Sequence, residues 1–245
     1  MNPIKKFNKE RIKAVKEMAL DRSFKKKSID WILQSIKHQY NYNFSWMGRP
    51  IIKYPNDIVV LQELIWKVKP DLIIETGIAH GGSIIFSASM LKMMNVKNFK
   101  VIGIDIDIRK HNLKEILKHP MKKYIKLIEG SSIGEDVLKK VTTVAKKKKR
   151  IMVVLDSNHS EEHVFNELNL YSKFVSKNSY IVLPDTYIEF LPKNTFKNRP
   201  WNKGNNPYTA LKKFLKTNKS FEIDDFISAK ALITEAFSGY IKRIK

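Results

Sequence analysis

The stretch Leu72-Ile-Ile-Glu-Thr-Gly-Ile-Ala-His-Gly-Gly-Ser83 decides the fold that this sequence predicts. Residues 72–75 form a short, mainly apolar run that is typical of a buried strand. The glycines over 77–82 predict a tight turn, and residues 83–94 have the length and composition of a helix. A strand that passes through a glycine-rich turn into a helix begins a βαβ unit. The stretch therefore indicates an α/β protein.

The same alternation continues along the rest of the chain. Further strands are predicted over 101–106, 124–129, 151–156 and 180–183, and further helices over 112–118, 134–145 and 161–176. A closing pair of strands is predicted over 226–234 and 240–244. Short β-branched runs that alternate with helical segments are typical of a parallel sheet covered by helices on both faces. We therefore predict a mostly parallel, seven-stranded sheet with a C-terminal antiparallel strand.

Residues 1–45 precede this alternation and are basic, with apolar positions at helical spacing in two blocks. We divide the chain into an N-terminal helical extension, 1–45, and a main domain, 46–245. No apolar run approaches the ~20 residues of a membrane span, and no apolar segment follows the charged N-terminus to suggest a secretory signal. The chain has no cysteine, which fits a reducing compartment. These features favour a cytoplasmic protein.

The formal net charge of the chain is +22, from 46 Lys and Arg against 24 Asp and Glu. Such a charge suits a polyanionic partner, either nucleic acid or an anionic membrane. Alternatively it reflects composition, because Lys, Asn and Ile are abundant throughout, and we favour this explanation for most of the charge. The run 146–150 is the contiguous basic stretch, and no RNA-binding motif accompanies it. The sequence predicts no dedicated nucleic-acid module, and it leaves open a peripheral association with an anionic membrane or glycan and a homo-oligomer.

Acidic residues stand at the ends of all five predicted parallel strands, where ligands bind in such sheets. They are Glu75, Asp105, Glu129, Asp156 and Asp185. Since the chain has only 24 acids in 245 residues, five in succession at these positions are not expected by chance. We therefore expect the functional site at this edge of the sheet.

The glycine turn and the acid that follows the second strand together indicate a nucleoside ligand. The turn lets a ligand approach the backbone and the N-terminus of the following helix, but it matches neither a dinucleotide fingerprint nor a P-loop. Asp105 is placed to accept hydrogen bonds from ribose hydroxyls. A glycine loop with a ribose acid and no phosphate site suggests a nucleoside without phosphates, of which S-adenosylmethionine is the common case.

With these residues in view, the sequence from about Trp46 to the C-terminus resembles the cephalosporin hydroxylase / rhamnosyl O-methyltransferase family. The motifs that carry the resemblance are Glu75-Thr-Gly77 with Gly81-Gly-Ser83, Gly103-Ile-Asp105-Ile-Asp107-Ile-Arg109 with His119-Pro120, Leu127-Ile-Glu-Gly-Ser-Ser132, Leu155-Asp-Ser-Asn-His159 with His163-Val164, Gly204-Asn-Asn-Pro207, Phe221-Glu-Ile-Asp224 and Gly239-Tyr240. The ordered set is specific, whereas no single motif is. The resemblance implies a Rossmann-like class I methyltransferase that uses S-adenosylmethionine, with magnesium assistance, to methylate a hydroxyl of a sugar or sugar-bearing molecule in polysaccharide or lipid biosynthesis.

The resemblance also implies roles for individual residues. The methionine end of the cofactor would be lined by Glu75, Gly77, Gly81 and Ser83; Asp105 would hold the ribose, and Ser131 would lie near the adenine. Asp156 and Asp185 would face a divalent cation, and His159 would act as the general base beside Asp156. This chain has Pro184 where members often have an acid, a departure that bears on the number of metal ligands.

The chemistry of the acceptor supports these roles independently. A sugar hydroxyl is a poor nucleophile near neutral pH and needs a base, a Lewis acid or both. Mg²⁺ prefers carboxylates and waters, and Asp156 and Asp185 end adjacent predicted strands, so they can converge. His159 lies three residues beyond Asp156. On sequence alone a structural histidine is about as well supported as a base, and the resemblance makes us favour the base. The long segment 186–208 is our candidate acceptor lid, in which Trp201 either packs or walls the acceptor site.

Other interpretations remain open at this point. The charge motivates an RNA-modifying methyltransferase or a nucleic-acid-binding protein. The pattern His159-Ser-Glu161 matches part of an iron hydroxylase triad, which needs a distal histidine on a β-barrel, and no histidine follows His163. His159 and His163 have the spacing of a zinc pair, without a third ligand in view. A binding protein without catalysis is the fourth interpretation.

Overall fold

The computed structural model describes residues 2–245 of the chain. Its N-terminal part contains helices α1, Pro3–Leu20, and α2, Arg22–Lys37. The side chains of Asn2 and Asp21 accept hydrogen bonds from the first turns of these helices, which satisfies backbone donors that would otherwise lack partners. The two helices predicted within 1–45 are therefore present.

A small hairpin and an alternating series of helices and strands follow. The hairpin consists of β1, Ser45–Trp46, and β2, Arg49–Pro50, and leads to α3, Pro55–Val68. The alternating elements are β3, Leu72–Thr76; α4, Gly82–Met93; β4, Lys100–Asp105; α5, Lys110–Lys118; β5, Ile125–Glu129; α6, Glu135–Ala145; β6, Ile151–Leu155; α7, Glu161–Tyr171; and β7, Tyr180–Val182. The last elements are α8, Pro207–Thr217; β8, Phe221–Ile223; α9, Asp225–Ala231; and β9, Tyr240–Arg243.

Seven strands within the described part of the chain form one sheet, in the order β5-β4-β3-β6-β7-β9-β8. The strands from β5 to β7 pair in parallel, and β9 runs antiparallel to both of its neighbours. The predicted fold class, an α/β protein with a mostly parallel sheet and a C-terminal antiparallel strand, is confirmed. After β3 the chain adds β4 and β5 next to one edge of β3, and it later adds β6 and β7 next to the other edge. Because the strand order reverses at this point, a crevice is expected beyond the carboxyl ends of β3 and β6.

One prediction about the C-terminal strands was wrong. The strand expected over 226–234 is instead helix α9, and the strand that pairs with β9 is β8. The side chain of Asp224 caps α9 by accepting a hydrogen bond from the backbone N–H of Ile227 (3.3 Å). Ile227 and Ala231, four residues apart, are both buried on one face of the helix. The apolar content of the segment thus follows a helical period.

The core lies on both faces of the sheet. Strands β3 and β6 are buried along their whole length. Ile73 packs with the cluster on the α3 and α4 face, whereas Leu72 and Ile74 pack with the cluster on the α6, α7 and α8 face. This alternation is the two-residue period of a strand that is covered on both sides.

Helix α2 packs on the main domain rather than standing apart from it. Its Ile32 is fully buried in a cluster with Tyr54, Tyr187, Ile188 and Leu191. These partners belong to the segments before α3 and after β7, so α2 covers the region where the strands end. The division of the chain at residue 45 stays a prediction.

None of the helices formed by residues 2–245 combines the length and apolar character that a membrane span requires.

Candidate active site

A cavity of about 480 Å³ opens at the carboxyl ends of the central strands. The glycine turn after β3 forms one side, and residues that follow β4, β6 and β7 form the floor. The segments around residues 36–53 and 187–201, together with Glu235, close the other side. This is the crevice that the strand order predicts.

Gly77 sets the shape of the turn after β3. It has φ of 76°, and a Cβ atom on it would lie 1.9 Å from the carbonyl oxygen of Asp156. Its backbone N–H donates to the carbonyl of Ile104 (2.8 Å). The turn therefore fits between the ends of β4 and β6 only because residue 77 has no side chain.

Glu75 is a fully buried acid beneath the turn. Burial raises the pKa of its carboxyl to about 7, although the hydrogen bond from Ser83 and the charge of Lys53 act in the opposite direction. Its Oε1 accepts from Ser83 Oγ, while its Oε2 has no hydrogen-bond partner among the described residues. Since a buried carboxylate oxygen is costly to leave unpaired, Glu75 fits a ligand that brings a cationic or N–H donor to this place.

Asp105 lies at the end of β4 and lines the cavity. Its Oδ2 accepts from the backbone N–H groups of Ile78 (3.0 Å) and Ala79 (3.3 Å), and its Oδ1 accepts from the N–H of Asp107 (3.2 Å). A carboxylate has about four acceptor positions, so Asp105 can hold the turn and still accept from a ligand hydroxyl.

The structure brings only part of the predicted cofactor set to the cavity wall. Gly77, Ser83 and Asp105 line the cavity. Glu75 reaches it through Ser83, whereas Gly81 lies behind the wall, where a Cβ atom would meet Ile116. Ser131 also lies outside the lining, and its carbonyl accepts from the N–H of Gly134 (2.9 Å). The roles of all six residues in cofactor binding stay predictions.

Asp156, His159 and Asp185 form a compact cluster at the floor of the cavity. Each offers one ligand atom, and these atoms all lie within 4.8 Å of one another. His159 Nδ1 is 3.6 Å from Asp185 Oδ2. Two carboxylates and an imidazole are a donor set that suits a divalent cation. The cluster therefore fits the predicted metal residues, and it adds His159 as a candidate ligand.

The electrostatics of this cluster follow from its burial. Burial lowers the pKa of the His159 imidazole, against the opposing effect of Asp156, so the neutral, proton-accepting form is favoured. Burial raises the pKa of the Asp185 carboxyl well above its usual value, and the neighbouring Asp156 raises it further. A cation at the cluster would reverse this effect, because it stabilises ionised carboxylates.

Lys53 and Glu235 belong to the same site, and the sequence analysis missed both. Lys53 Nζ donates to Asp156 Oδ2 (3.0 Å) and to Glu235 Oε1 (2.8 Å). Burial opposes the charged form of Lys53, but the charges of Asp156 and Glu235 outweigh it and hold the pKa of the ammonium well above its usual value. The available signal was the position of Lys53 in the apolar run Ile51-Ile-Lys-Tyr54, where an unpaired lysine is not expected.

The segment after β7 supplies an aromatic wall. It begins with a short 3₁₀ turn, Thr186–Phe190, and then brings Phe196, Arg199 and Trp201 to the cavity. The ring of Trp201 stands edge-on to the imidazole of His159, with 4.7 Å between ring centres. Trp201 lines the cavity and also packs against the cluster around Ile32, so both interpretations that the sequence allowed stay open.

Two of the alternative metal patterns do not form. His163 Nε2 contacts Ser132 Oγ (3.0 Å) and Ser157 Oγ (3.2 Å) instead of joining His159 in a zinc pair. Glu161 begins helix α7 and faces Lys213 (3.8 Å), so the pattern His159-Ser-Glu161 does not make an iron site. The α/β sheet is also not the β-barrel that such an iron triad requires.

Comparison with protein families gives a match over most of the chain. Residues 38–244 match the family model described as Rhamnosyl O-methyltransferase/CmcI. The chain is 28% identical over 170 residues to the rhamnosyl O-methyltransferase of Mycobacterium leprae (strain TN), covering 66% of this chain and 71% of that protein. It is 27% identical over 167 residues to the protein of the same name from Mycobacterium tuberculosis (strain ATCC 25618 / H37Rv), covering 63% of this chain and 64% of that protein.

Solved structures share the fold. CmcI with Mg and SAM superposes with a TM-score of 0.57 at 18% identity, covering 83% of this chain and 78% of that chain. The O-methyltransferase from Bacillus cereus in complex with SAH superposes with a TM-score of 0.53 at 13% identity, covering 89% of this chain and 91% of that chain. At these identities the likeness shows the architecture of the sheet and its helices.

Proposed function

The chain belongs to the rhamnosyl O-methyltransferase/CmcI family and is an S-adenosylmethionine-dependent O-methyltransferase, and from that premise we propose that it methylates a sugar hydroxyl of a glycan, glycolipid or glycosylated small molecule. The observation that carries this proposal is the meeting of Asp156, His159 and Asp185 within 4.8 Å at the floor of the cavity. A base and a candidate cation site beside the glycine turn are what activation of a hydroxyl requires. The names of the curated relatives point to the same class of acceptor.

The cofactor is proposed to lie along the glycine turn. The unpaired Oε2 of Glu75 would accept from the amino group at its methionine end, with Ser83 fixing the carboxylate. Gly77 lets the ligand approach the backbone, and Asp105 would accept from the ribose. Gly81 shapes the N-terminus of α4, and Ser131 is proposed near the adenine.

His159 is proposed to be the general base. Burial disfavours its charged form, so the imidazole is ready to accept the hydroxyl proton while Asp185 faces its Nδ1. Loss of that proton turns the hydroxyl into a nucleophile that can attack the methyl group in line with the departing sulfur. The wall made by Trp201 beside His159 would hold the sugar and keep water away from the reacting atoms.

Magnesium is the proposed assistant, held by Asp156 and Asp185. When bound, it supplies positive charge that favours loss of the acceptor proton. Pro184 contributes no side-chain donor, so the carboxylates that this chain offers to the cation are those of Asp156 and Asp185, and the acceptor nitrogen of His159 is left for the proton.

The basic N-terminal part supports an anionic surface as a peripheral partner. On α1, Ile4 and Phe7 are 70% and 63% exposed, and the lysines around them are exposed as well. Apolar side chains among lysines are typical of helices that lie on anionic membranes. A role in polysaccharide or lipid biosynthesis and a cytoplasmic location complete the proposal.

Calorimetry with S-adenosylmethionine and a methyl-transfer assay on rhamnose-bearing acceptors would test this function. The Asp105→Ala variant should bind the cofactor less tightly by roughly 1–3 kcal/mol, because ribose hydroxyls lose their acceptor. Asp107→Ala is the matched control, since that side chain is 75% exposed and its Oδ2 lies 3.9 Å from Arg109 Nε. Equal cofactor affinity in the wild type and both variants would refute the assignment of the turn and Asp105.

A further inference from the structure

Lys53 places a positive charge inside the carboxylate cluster of the site. Its side chain is 5% exposed, and its Nζ reaches Asp156 Oδ2 at 3.0 Å and Glu235 Oε1 at 2.8 Å. A buried ammonium loses its hydration, and lysine is almost never fully buried unless it is paired. Two short contacts to carboxylates offset that cost and hold the ammonium in one place.

The pair of Lys53 and Glu235 is itself anchored by separate parts of the chain. The backbone N–H of Lys53 donates to the carbonyl of Asn41 (3.1 Å). The backbone N–H of Glu235 donates to Asp57 Oδ2 (2.9 Å), and its carbonyl accepts from the N–H of Tyr187 (3.3 Å). Segments from both ends of the chain therefore meet at the ammonium.

The contact with Lys53 fixes how Asp156 faces the cavity. The backbone of Asp156 is held by its N–H, which donates to the carbonyl of Thr76 (2.9 Å), and its Oδ2 is held by Lys53. A carboxylate whose backbone and one oxygen are both fixed presents its second oxygen in one direction. That oxygen is the one left for a cation or for the neighbouring Asp185.

We propose that Lys53, held by Glu235, is a positioning residue that orients the carboxylate of Asp156 for the divalent cation and for His159. The inference rests on the proposed cation site and goes beyond it, because the contacts of Lys53 are to Asp156 and Glu235 and it is not among the candidate cation ligands. Partners of this kind behind metal ligands change metal affinity by about 10- to 100-fold when they are removed.

The test measures how tightly the full-length chain binds Mn²⁺. Free Mn²⁺ is quantified from its electron paramagnetic resonance signal. Simple electrostatics predicts that Lys53→Met binds Mn²⁺ more tightly, because a nearby positive charge is gone. Positioning predicts the opposite, a weakening of Mn²⁺ binding by about 10- to 100-fold. Cofactor affinity, measured by calorimetry, should stay unchanged. The value of kcat should change by a larger factor than the KM for the acceptor. Lys67→Met is the matched control, since Lys67 lies on α3 and donates to Tyr180 Oη (2.8 Å) away from the cavity.

Glu235 provides a second route to the same answer. Glu235→Ala removes the anchor of Lys53 while leaving Lys53 and Asp156 in the chain. Its comparison with Glu235→Gln tests the inference even if Lys53→Met fails to fold, because both variants lose the same negative charge. It should weaken Mn²⁺ binding in the same direction, and the double variant should show less than additive loss, because both residues act through Asp156. Glu235→Gln, which keeps an oxygen acceptor for Lys53, should lie between Glu235→Ala and the wild type.

The outcomes separate this inference from the proposed function. Tighter or unchanged Mn²⁺ binding in Lys53→Met, or equal weakening in Glu235→Ala and Glu235→Gln, with a wild type that binds Mn²⁺, overturns the positioning role alone. A wild type that binds no Mn²⁺ overturns the cation site and the role of Lys53 together. Weaker binding in Lys53→Met, and weaker binding in Glu235→Ala than in Glu235→Gln, with normal binding in Lys67→Met, supports the role.

Discussion

The imidazole Nδ1 of His159 lies 3.6 Å from Oδ2 of Asp185, and its ring stands nearly perpendicular to that of Trp201. Burial lowers the pKa of this imidazole, and it has beside it an acid that can orient it and an aromatic side chain that can shield it. This arrangement makes His159 the side chain that decides whether the site is catalytic.

Replacing His159 by alanine should lower turnover by about 10²–10⁴, the usual loss when a general base is removed. Cofactor affinity should remain within twofold of the wild type, because Glu75, Gly77 and Asp105 are untouched. Steady-state rates and calorimetry measure the two effects. His163→Ala is the control, since that imidazole contacts Ser132 and Ser157. Loss of cofactor binding in His159→Ala would instead identify a structural histidine.

Removal of divalent cations should abolish methyl transfer, and added Mg²⁺ should restore it. The reason is the cluster of Asp156, His159 and Asp185, whose donor atoms lie within 4.8 Å of one another. Asp185→Asn should raise the Mg²⁺ concentration needed for half-maximal rate by about 10-fold or more. Rates after exhaustive chelation that equal the starting rates would exclude a role for the cation in turnover.

Glu75 should make stability depend on pH in a defined window. Its pKa is about 7 in the folded protein, raised by burial from 4.5, so folding takes up a proton between these two pH values. The free energy of unfolding should therefore fall as pH rises from about 4.5 to about 7, by up to about 3 kcal/mol from this group. Urea denaturation at several pH values measures the slope, which should be smaller in Glu75→Gln. Identical slopes in the two proteins would disprove the raised pKa.

Gly77→Ala should damage both stability and cofactor binding. The added methyl group would lie 1.9 Å from the carbonyl oxygen of Asp156, at φ of 76°. Gly48→Ala is the matched control, because Gly48 has φ of 81° with nothing within 4 Å of a Cβ atom. We expect a loss of about 1–2 kcal/mol for the control from backbone strain alone, and more than about 3 kcal/mol for Gly77→Ala. Thermal and urea denaturation compare the two, and equal losses would contradict the close packing of the turn.

Much of the fold could be predicted because it depends on local patterns. The runs that became β3 to β7 are short, apolar and rich in β-branched residues, and segments of helical period separate them, so length, composition and period together identify these elements. The segment 226–234 was mistaken for a strand, since a seven-residue helix offers too few turns to show its period among apolar neighbours. Asp156 and Asp185 could be placed together because carboxyl ends of parallel strands share one edge of the sheet.

The rest of the site was missed because its local sign, a lysine within the apolar run 51–54, does not identify a partner. Lys53 and Glu235 are 182 residues apart in the chain, and neither ends a parallel strand. Lys53 is also one of 46 basic residues, so its type gives no signal. Such pairs are set by the way distant loops close over the sheet, which depends on tertiary packing.

The place of β9 in the sheet has a consequence for synthesis on the ribosome. It comes after β8 in the chain, yet it lies between β7 and β8 and pairs with both. Until Tyr240–Arg243 has emerged from the exit tunnel, β7 presents an unpaired edge of the kind that promotes aggregation of nascent chains. Completion of the sheet is therefore a late event in the folding of the chain.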